Sequence, residues 1–253
     1  MTTRERLRED GEAILRRLFG EAPDPAAARV PGLSQLMAEM VYGSVWSRPG
    51  LPLEDRMTCT LAALCALSRA SQLSRHVRAA LDLGLLPQAI VEIFIQCGIY
   101  AGFPASLEAI EPALGVFEER GLALPQMPPR NDALAELTRR GKALLEELHG
   151  ARGYEGYAAP DNPVTGALYP LAMQWGYGEI WDRPGLDRRS RALVAVAAFT
   201  ALRLEGQVKK FGQSALNAGL ARGEIIEAVI QTGPYSGFAP ALNALAALGD
   251  ALR

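Results

Sequence analysis

The chain contains an internal duplication, and this feature restricts the possible folds more than any other. The segment Tyr42-Gly43-Ser44-Val45-Trp46-Ser47-Arg48-Pro49-Gly50-Leu51 recurs as Tyr177-Gly178-Glu179-Ile180-Trp181-Asp182-Arg183-Pro184-Gly185-Leu186. The correspondence runs without a gap from residues 42–110 to residues 177–245, and residues 11–15 match residues 141–145. Half of a 253-residue chain is long enough to bury its own core, so the repeat indicates two small domains of one kind.

Both halves are predicted to be helical, because Ala and Leu recur at helical spacing and runs of β-branched residues are short. Helices are expected at residues 5–19, 53–67, 71–83 and 87–100 in the first half, and at residues 132–149, 187–202, 206–218 and 222–232 in the second. Gly84 and Gly219 follow helical runs, where a left-handed cap is expected. Each half also predicts a last helix that begins near Pro104 or Pro240.

The fold class predicted from these patterns is all-α, with two tandem repeats packed as a pseudo-dimer. The proline-rich residues 124–129 are interpreted as the linker. The domains are therefore predicted to span residues 1–129 and residues 130–253.

Charge and composition exclude several classes of function. The formal net charge is only -2, with 26 basic and 28 acidic residues, so a nucleic-acid partner is not expected. The apolar stretches are too short to cross a membrane, and the first residues lack the apolar segment of a signal peptide, which predicts a cytoplasmic protein. The three cysteines, Cys59, Cys65 and Cys97, lie in apolar helical patterns and are interpreted as reduced, buried thiols. The pattern contains neither a metal-ligand cluster nor a phosphate-binding loop, so no metal and no cofactor are predicted.

Several motifs follow one another at a characteristic spacing in the first half. Trp46-Ser47-Arg48-Pro49-Gly50-Leu51 is followed by Ala66-Leu67-Ser68-Arg69, by Leu73-Ser74-Arg75-His76-Val77-Arg78-Ala79-Ala80-Leu81, by Gly84 and by Ile99-Tyr100-Ala101-Gly102-Phe103-Pro104-Ala105. This ordered set resembles the carboxymuconolactone decarboxylase family, which is related to the alkylhydroperoxidase D-like proteins. The resemblance covers most of both halves.

The resemblance implies a helical, oligomeric protein with sites at subunit or repeat interfaces, and an activity of cofactor-free decarboxylation of a lactone. It therefore implies a small anionic substrate and a homo-oligomer, either a dimer or a trimer of the tandem chain. Redox members of the family carry a Cys-x-x-Cys motif just before the histidine, where this chain has Arg69 and Gln72. Because a disulfide-cycling peroxidase needs two thiols, that activity is rejected.

The resemblance assigns an active-site role to His76, which lies between Arg75 and Arg78 in a predicted helix. A histidine whose pKa is near neutrality can deliver a proton to carbon, and an arginine such as Arg78 can hold an anionic substrate. The alternative is a surface or capping histidine without chemistry.

The second half has Phe211 where the first has His76, and it carries Glu179, Arg188 and Arg191 in its own motif. These complementary losses suggest one composite site, with His76 as a proton carrier, Glu179 as a second catalytic residue, and Arg188 and Arg191 as substrate-binding residues. The alternative is that the second half has become a scaffold.

Other residues have two interpretations each. Tyr100 and Tyr235 precede a Gly-Phe break and are either substrate-binding residues or hydrogen-bonded core residues. Glu92 and Glu227 lie in apolar surroundings and form either structural ion pairs or site acids. Arg48 and Arg183 are interpreted as holding the turn through helix-end carbonyls, Trp46 and Trp181 as core or interface anchors, and His149 as a cation at a helix C-terminus.

These observations predict a cofactor-independent lyase, most simply a decarboxylase of a small carboxylated lactone or enolisable acid, with histidine as acid and base. An isomerase or cyclase would use the same proton transfer, and a non-catalytic binding or scaffold protein would use the same helices.

Overall fold

The computed structural model describes residues 3–20, 24–159 and 162–252, and in these ranges the chain is helical without a β-strand. The first repeat contains α1 (Arg4–Phe19), α2 (Pro25–Ala28), α3 (Leu33–Met37), α4 (Leu53–Ala66), α5 (Ala70–Asp82), α6 (Pro87–Ala101) and α7 (Phe103–Glu119). The second contains α8 (Leu134–His149), α9 (Tyr169–Leu171), α10 (Arg188–Ala201), α11 (Glu205–Asn217), α12 (Arg222–Ser236) and α13 (Phe238–Ala251). Within the described ranges, no helix is long and apolar enough to cross a lipid bilayer.

The predicted all-α fold with two tandem repeats is confirmed, and the predicted long helices lie within a few residues of the observed ones. Local signals account for this agreement. Gly84 and Gly219 adopt φ angles of 97° and 92° directly after α5 and α11, which a residue with a side chain rarely does. Pro87 opens α6, where a missing N–H group costs nothing. The boundary between the domains at residues 129 and 130 stays a prediction.

The segment before each Arg-Pro-Gly turn is a π-helix, at Ala38–Trp46 and at Ala172–Tyr177. Helix α1 crosses the first of these segments so closely that a Cβ atom on Gly43 would lie 1.9 Å from the carbonyl oxygen of Leu7. A Cβ atom on Gly11 would meet the Ala38 carbonyl oxygen at the same distance. Glycine is therefore required on both surfaces, since only hydrogen fits between the two backbones.

Helices α4 and α10 pack against each other at the centre of the molecule and are buried along most of their length. Their apolar side chains belong to one continuous core that includes both repeats. The two repeats are thus joined as a pseudo-dimer, with each repeat completing the core of the other.

A carboxylate of each repeat neutralises two arginines of the other repeat. Glu92 on α6 accepts hydrogen bonds from Arg183 at 2.9 Å and from the fully buried Arg191 at 3.1 Å. Arg191 also donates to the Gln96 side chain and to the Arg183 carbonyl oxygen. The negative charge of the buried Glu92 carboxylate is therefore compensated by two arginines.

The same network occurs a second time with the repeats exchanged. Glu227 on α12 accepts hydrogen bonds from Arg48 at 2.7 Å and from the buried Arg56 at 2.9 Å, and Arg56 donates to Gln231 at 3.1 Å. Glu92 and Glu227 therefore form structural ion pairs with these arginines, which was one of the two interpretations of these residues. Arg48 and its counterpart in the other repeat do not hold helix-end carbonyls, which corrects that expectation.

Candidate active site

His76 lies on the buried face of α5, with 4% of its surface exposed. Its Nδ1 atom is 2.8 Å from the carbonyl oxygen of Gln72, one helical turn earlier. A carbonyl oxygen only accepts hydrogen bonds, so Nδ1 carries the proton and Nε2 has a free lone pair. The rings of Phe19 and Tyr235 hold the imidazole from two sides by edge-on contacts, with centroids at 5.4 and 5.9 Å.

Arg75, the preceding residue, contributes a positive charge beside this imidazole. Its Nη1 donates to Asp24 at 3.1 Å, and its guanidinium carbon lies 3.8 Å from the centre of the Phe19 ring. The other oxygen of Asp24 caps α2 by accepting from the Ala26 and Ala27 amides. The guanidinium is therefore held in place by a carboxylate that is itself anchored to a helix.

Two polar atoms at this place have no partner. Among the residues that the structure describes, His76 Nε2 and Arg75 Nη2 are both buried and lack a hydrogen bond. One is a proton acceptor and the other is a charged donor. Because leaving such groups buried and unpaired costs free energy, their occurrence side by side points to a ligand that satisfies both.

Both residues line a cavity of about 360 Å³ between the repeats. The first repeat supplies most of the wall, including Tyr42 and the exposed Arg69, and the second supplies Pro234 and Tyr235. The Tyr235 hydroxyl accepts a hydrogen bond from Trp46 Nε1 at 2.9 Å, which fixes the ring in the cavity wall. The cavity has the size of a small-molecule site.

Burial lowers the pKa of His76 to about 4, and the charge of Arg75 lowers it further than the nearby Asp24 can restore it. The imidazole is therefore neutral at physiological pH and acts first as a base. An anion bound to Arg75 would raise the pKa of His76, since it would cancel a repelling charge.

The predicted substrate-binding residues lie in different places. Tyr235 lines the His76 cavity, whereas Tyr100, its counterpart, lines a second cavity beside Phe211. Arg78, which was expected to hold the anion, pairs with Glu119 on the surface. Arg78 does not line the His76 cavity, whereas Arg69 and Arg75 do.

None of the three residues that the second repeat was predicted to supply to a composite site lines the His76 cavity. Glu179 lies 3.5 Å from Arg130 in a cleft beside the linker. Arg188 donates to the Trp181 carbonyl oxygen at 3.1 Å, and Arg191 is committed to the buried network with Glu92. The repeats do share the cavity, but the second repeat contributes Pro234 and Tyr235 instead.

The sequence did not indicate that Arg75 lines the cavity, nor that Phe19 and Asp24 contact its guanidinium group. Their signal was weak, because Phe19 and Asp24 come from α1 and the start of α2 and meet α5 only in the folded chain. One comparison between the repeats would have helped. At the offset of the first helices, Phe19 corresponds to His149, so the two repeats exchange a phenylalanine and a histidine.

His149 itself is not a cation at a helix end, which corrects that expectation. It is buried, and burial lowers its pKa to about 3, with Lys210 and Arg152 adding to the effect. Its Nδ1 lies 2.6 Å from the Ser214 hydroxyl and its Nε2 lies 2.7 Å from the Tyr177 hydroxyl. Unlike His76, it has a partner on both nitrogens.

The remaining side chains of interest belong to the core. Trp46 and Trp181 are buried, and each donates to the tyrosine of the opposite repeat, as expected for interface anchors. Cys59, Cys65 and Cys97 are buried free thiols, and burial raises the pKa of Cys59 well above its usual value. In the part of the chain that the structure describes, no cluster of three or more His, Cys, Asp or Glu side chains is placed to hold a metal ion.

Both repeats are similar to known proteins of one family. The model of the carboxymuconolactone decarboxylase family matches residues 31–114 and 167–250. The chain is 40% identical over 87 residues to 4-carboxymuconolactone decarboxylase of Acinetobacter baylyi, across 34% of this chain and 65% of that relative's length. It is 28% identical over 114 residues to nitrosuccinic acid decarboxylase of Metarhizium robertsii, across 44% of this chain and 80% of that protein.

The fold has a solved counterpart over its whole length. A Burkholderia xenovorans protein, provisionally named a gamma-carboxymuconolactone decarboxylase subunit, superposes with a TM-score of 0.58 at 22% identity. The superposition covers 99% of this chain and 98% of the other, and it concerns the fold alone. Because the family model matches both repeats across more than half of the chain, the protein belongs to the carboxymuconolactone decarboxylase family, in a tandem form without the Cys-x-x-Cys motif.

Proposed function

We propose that the chain is a decarboxylase-like lyase for a small carboxylate, acting in the His76 cavity. The observation that carries the proposal is that Arg75 and His76 line one cavity and that each has a buried polar atom, Nη2 and Nε2, without a partner among the described residues. Two relatives with significant identity are named as decarboxylases, which favours this reaction over isomerisation or cyclisation by the same proton transfer.

Arg75 is proposed to hold a carboxylate of the substrate by a charge-assisted hydrogen bond from Nη2. Fixing the anion there places the reacting carbon next to the imidazole and supplies the orientation that an intramolecular reaction would have. Tyr235 and Phe19 keep the imidazole ring in one orientation, so that little reorganisation is needed during the reaction.

The proton transfers follow from the neutral state of His76. Nε2 accepts a proton from the substrate or from solvent and becomes an imidazolium, with the substrate anion as its counter-charge. The carbon–carbon bond to the leaving carboxylate then breaks, carbon dioxide departs, and the electron pair forms an enolate with an adjacent carbonyl group. The imidazolium returns a proton to carbon and is neutral again.

The test is release of carbon dioxide from 4-carboxymuconolactone by the purified chain and by three variants. His76→Gln is expected to lower kcat by about 10²–10⁴-fold, because it removes the proton carrier. Arg75→Gln is expected to raise KM by about 10–100-fold, because it removes a charged hydrogen bond to the substrate. Lys210→Gln, at the position of Arg75 in the second repeat, is the matched control and is expected to keep the wild-type rate.

Two results would contradict the proposal. One is absence of carbon dioxide release by the wild-type chain across small carboxylated lactones and enolisable acids. The other is a His76→Gln variant whose kcat stays within a few-fold of the wild-type value.

A further inference from the structure

The second repeat has a cavity of its own at the place that corresponds to the His76 cavity. It measures about 390 Å³, and Tyr100 from the first repeat forms part of its wall. Seven of its lining residues are aromatic: Tyr100, Tyr169, Trp175, Tyr177, Trp181, Phe199 and Phe211. Trp175 is half exposed and lies at the mouth, whereas Phe211 and Trp181 are buried.

This aromatic cavity has lost the cationic and basic groups of its counterpart. Phe211 replaces His76, and Leu204 replaces Arg69 in the wall. Lys210, at the position of Arg75, does not line the cavity. Among the described residues, no cationic side chain lines this cavity, so the transfer of a carboxylate from water into it would be uncompensated.

Two further differences between the repeats make the side chains in the wall of the aromatic cavity smaller. Gly176 stands where the His76 cavity has Val41, and Ala172 stands where it has Met37. A Cβ atom on Gly176 would be in ordinary van der Waals contact with Ile99 Cδ1 at 3.8 Å, so the position has room for a side-chain carbon that it does not carry. The Phe199 and Phe211 rings, with centroids 4.9 Å apart, form one side of that space.

A buried hydrogen-bond chain keeps the wall in shape. The Ser214 hydroxyl donates to the Lys210 carbonyl oxygen at 3.0 Å, so it accepts the proton of His149 Nδ1. His149 Nε2 therefore accepts the proton of Tyr177 and fixes the orientation of that ring. His149 also contacts the edge of Phe211 at 4.9 Å between centroids, which holds a second ring of the wall.

We propose that the aromatic cavity of the second repeat is a binding site for an uncharged aromatic ligand, separate from the His76 cavity. Ring faces and edges in the wall favour a planar ligand, and the absence of a lining cation disfavours an anion. The two repeats thus divide recognition by charge, one cavity for carboxylates and one for neutral rings. Binding of a neutral ring in the aromatic cavity does not depend on catalysis of decarboxylation in the His76 cavity.

The test compares binding of 4-methylphenol, which is neutral, with binding of 4-methylbenzoate, which has the same ring and an anionic charge. Isothermal titration of the wild-type chain is expected to show one saturable site for 4-methylphenol, with a Kd on the order of 1 mM or tighter. Tryptophan fluorescence is expected to change with the same midpoint, since Trp175 and Trp181 line the cavity. Binding of 4-methylbenzoate at this site is expected to be at least about tenfold weaker.

Variants that introduce the corresponding side chains of the first repeat test whether the ligand binds in the aromatic cavity. Gly176→Val and Ala172→Met narrow the aromatic cavity and are each expected to weaken 4-methylphenol binding by about tenfold or more. Ala172 is exposed, so the Ala172→Met variant is expected to fold and to test the binding site even if Gly176→Val does not fold. His76→Gln is the control and is expected to keep 4-methylphenol binding.

Absence of a saturable site for 4-methylphenol would overturn the proposal. So would unchanged binding in the Ala172→Met variant, loss of binding in His76→Gln, or equal affinity for 4-methylbenzoate in the aromatic cavity.

Discussion

Each repeat contains one T-shaped pair of a histidine ring and a phenylalanine ring, but the order of the two residues along the chain is reversed. In the first repeat Phe19 contacts His76, and in the second His149 contacts Phe211. Both imidazoles are buried and neutral, yet only His76 keeps a nitrogen without a partner among the described residues. The two imidazoles therefore differ in their hydrogen bonding according to the helix that carries them, because Nε2 of His76 on α5 has no partner while both nitrogens of His149 on α8 are hydrogen-bonded.

The pH dependence of the reaction is a prediction at this scale. The pKa of His76 is lowered to about 4 in the free chain, so its competent neutral form persists above that pH and disappears below it. We expect kcat/KM to be nearly equal at about pH 7.5 and about pH 5.5, and to fall below about pH 4.5. An ordinary histidine would already lose about tenfold at pH 5.5. A pH profile of kcat/KM for the wild-type chain distinguishes these cases, and a midpoint near 6.5 would contradict this environment for His76.

At the scale of helices, the sequence predicts those helix bounds that depend on residues close to them in the chain. The bounds of α4, α5, α10 and α11 follow from apolar periodicity and from glycines in the left-handed region after the helix. The π-helical segments before the Arg-Pro-Gly turns were not predictable in this way, because they depend on close contact with α1 or α8. The candidate site divides similarly: the family motif locates His76, but whether Arg75 or Arg78 faces the cavity depends on Asp24 and Phe19, which are distant in sequence.

The contact of α1 with the first π-helical segment makes a testable case. Gly43→Ala would place a Cβ atom 1.9 Å from the Leu7 carbonyl oxygen, so a helix must move. We expect this variant to lower the free energy of unfolding by about 3 kcal/mol. The control is Gly115→Ala, which lies in α7 with no atom within 4 Å and is expected to stabilise by about 0.5–1 kcal/mol. Urea unfolding measures both, and equal stability of the two variants would contradict the close packing.

At the scale of the whole molecule, the repeats are interlocked by paired networks rather than placed side by side. Glu92 neutralises arginines of the second repeat, and Glu227 neutralises arginines of the first. Each cavity is also closed by a tyrosine of the opposite repeat. Duplication allowed the two cavities to diverge while the central networks stayed symmetric. The number of tandem chains in the assembly stays a prediction.

Removing one central carboxylate tests this interlocking. Glu92→Gln leaves the buried Arg191 without a counter-charge, and we expect it to lower the free energy of unfolding by about 3–5 kcal/mol. Glu119→Gln breaks the Arg78 ion pair on the surface, where both side chains are about half exposed, and is expected to cost about 1 kcal/mol or less. Thermal and urea unfolding give both values. A small effect of Glu92→Gln would mean that the repeats are not held by this network.

The most direct test of the account is a measurement of the His76 imidazole by ¹⁵N NMR. The chain has two histidines, so comparison with a His149→Gln variant assigns each ring. We predict that Nδ1 of His76 is protonated, that Nε2 is unprotonated, and that the ring titrates near pH 4. Addition of succinate, as a non-reacting carboxylate, is expected to raise that midpoint in the wild-type chain and not in Arg75→Gln. A His76 ring that titrates near 6.5 and does not respond to succinate would contradict a neutral base facing an arginine-bound anion.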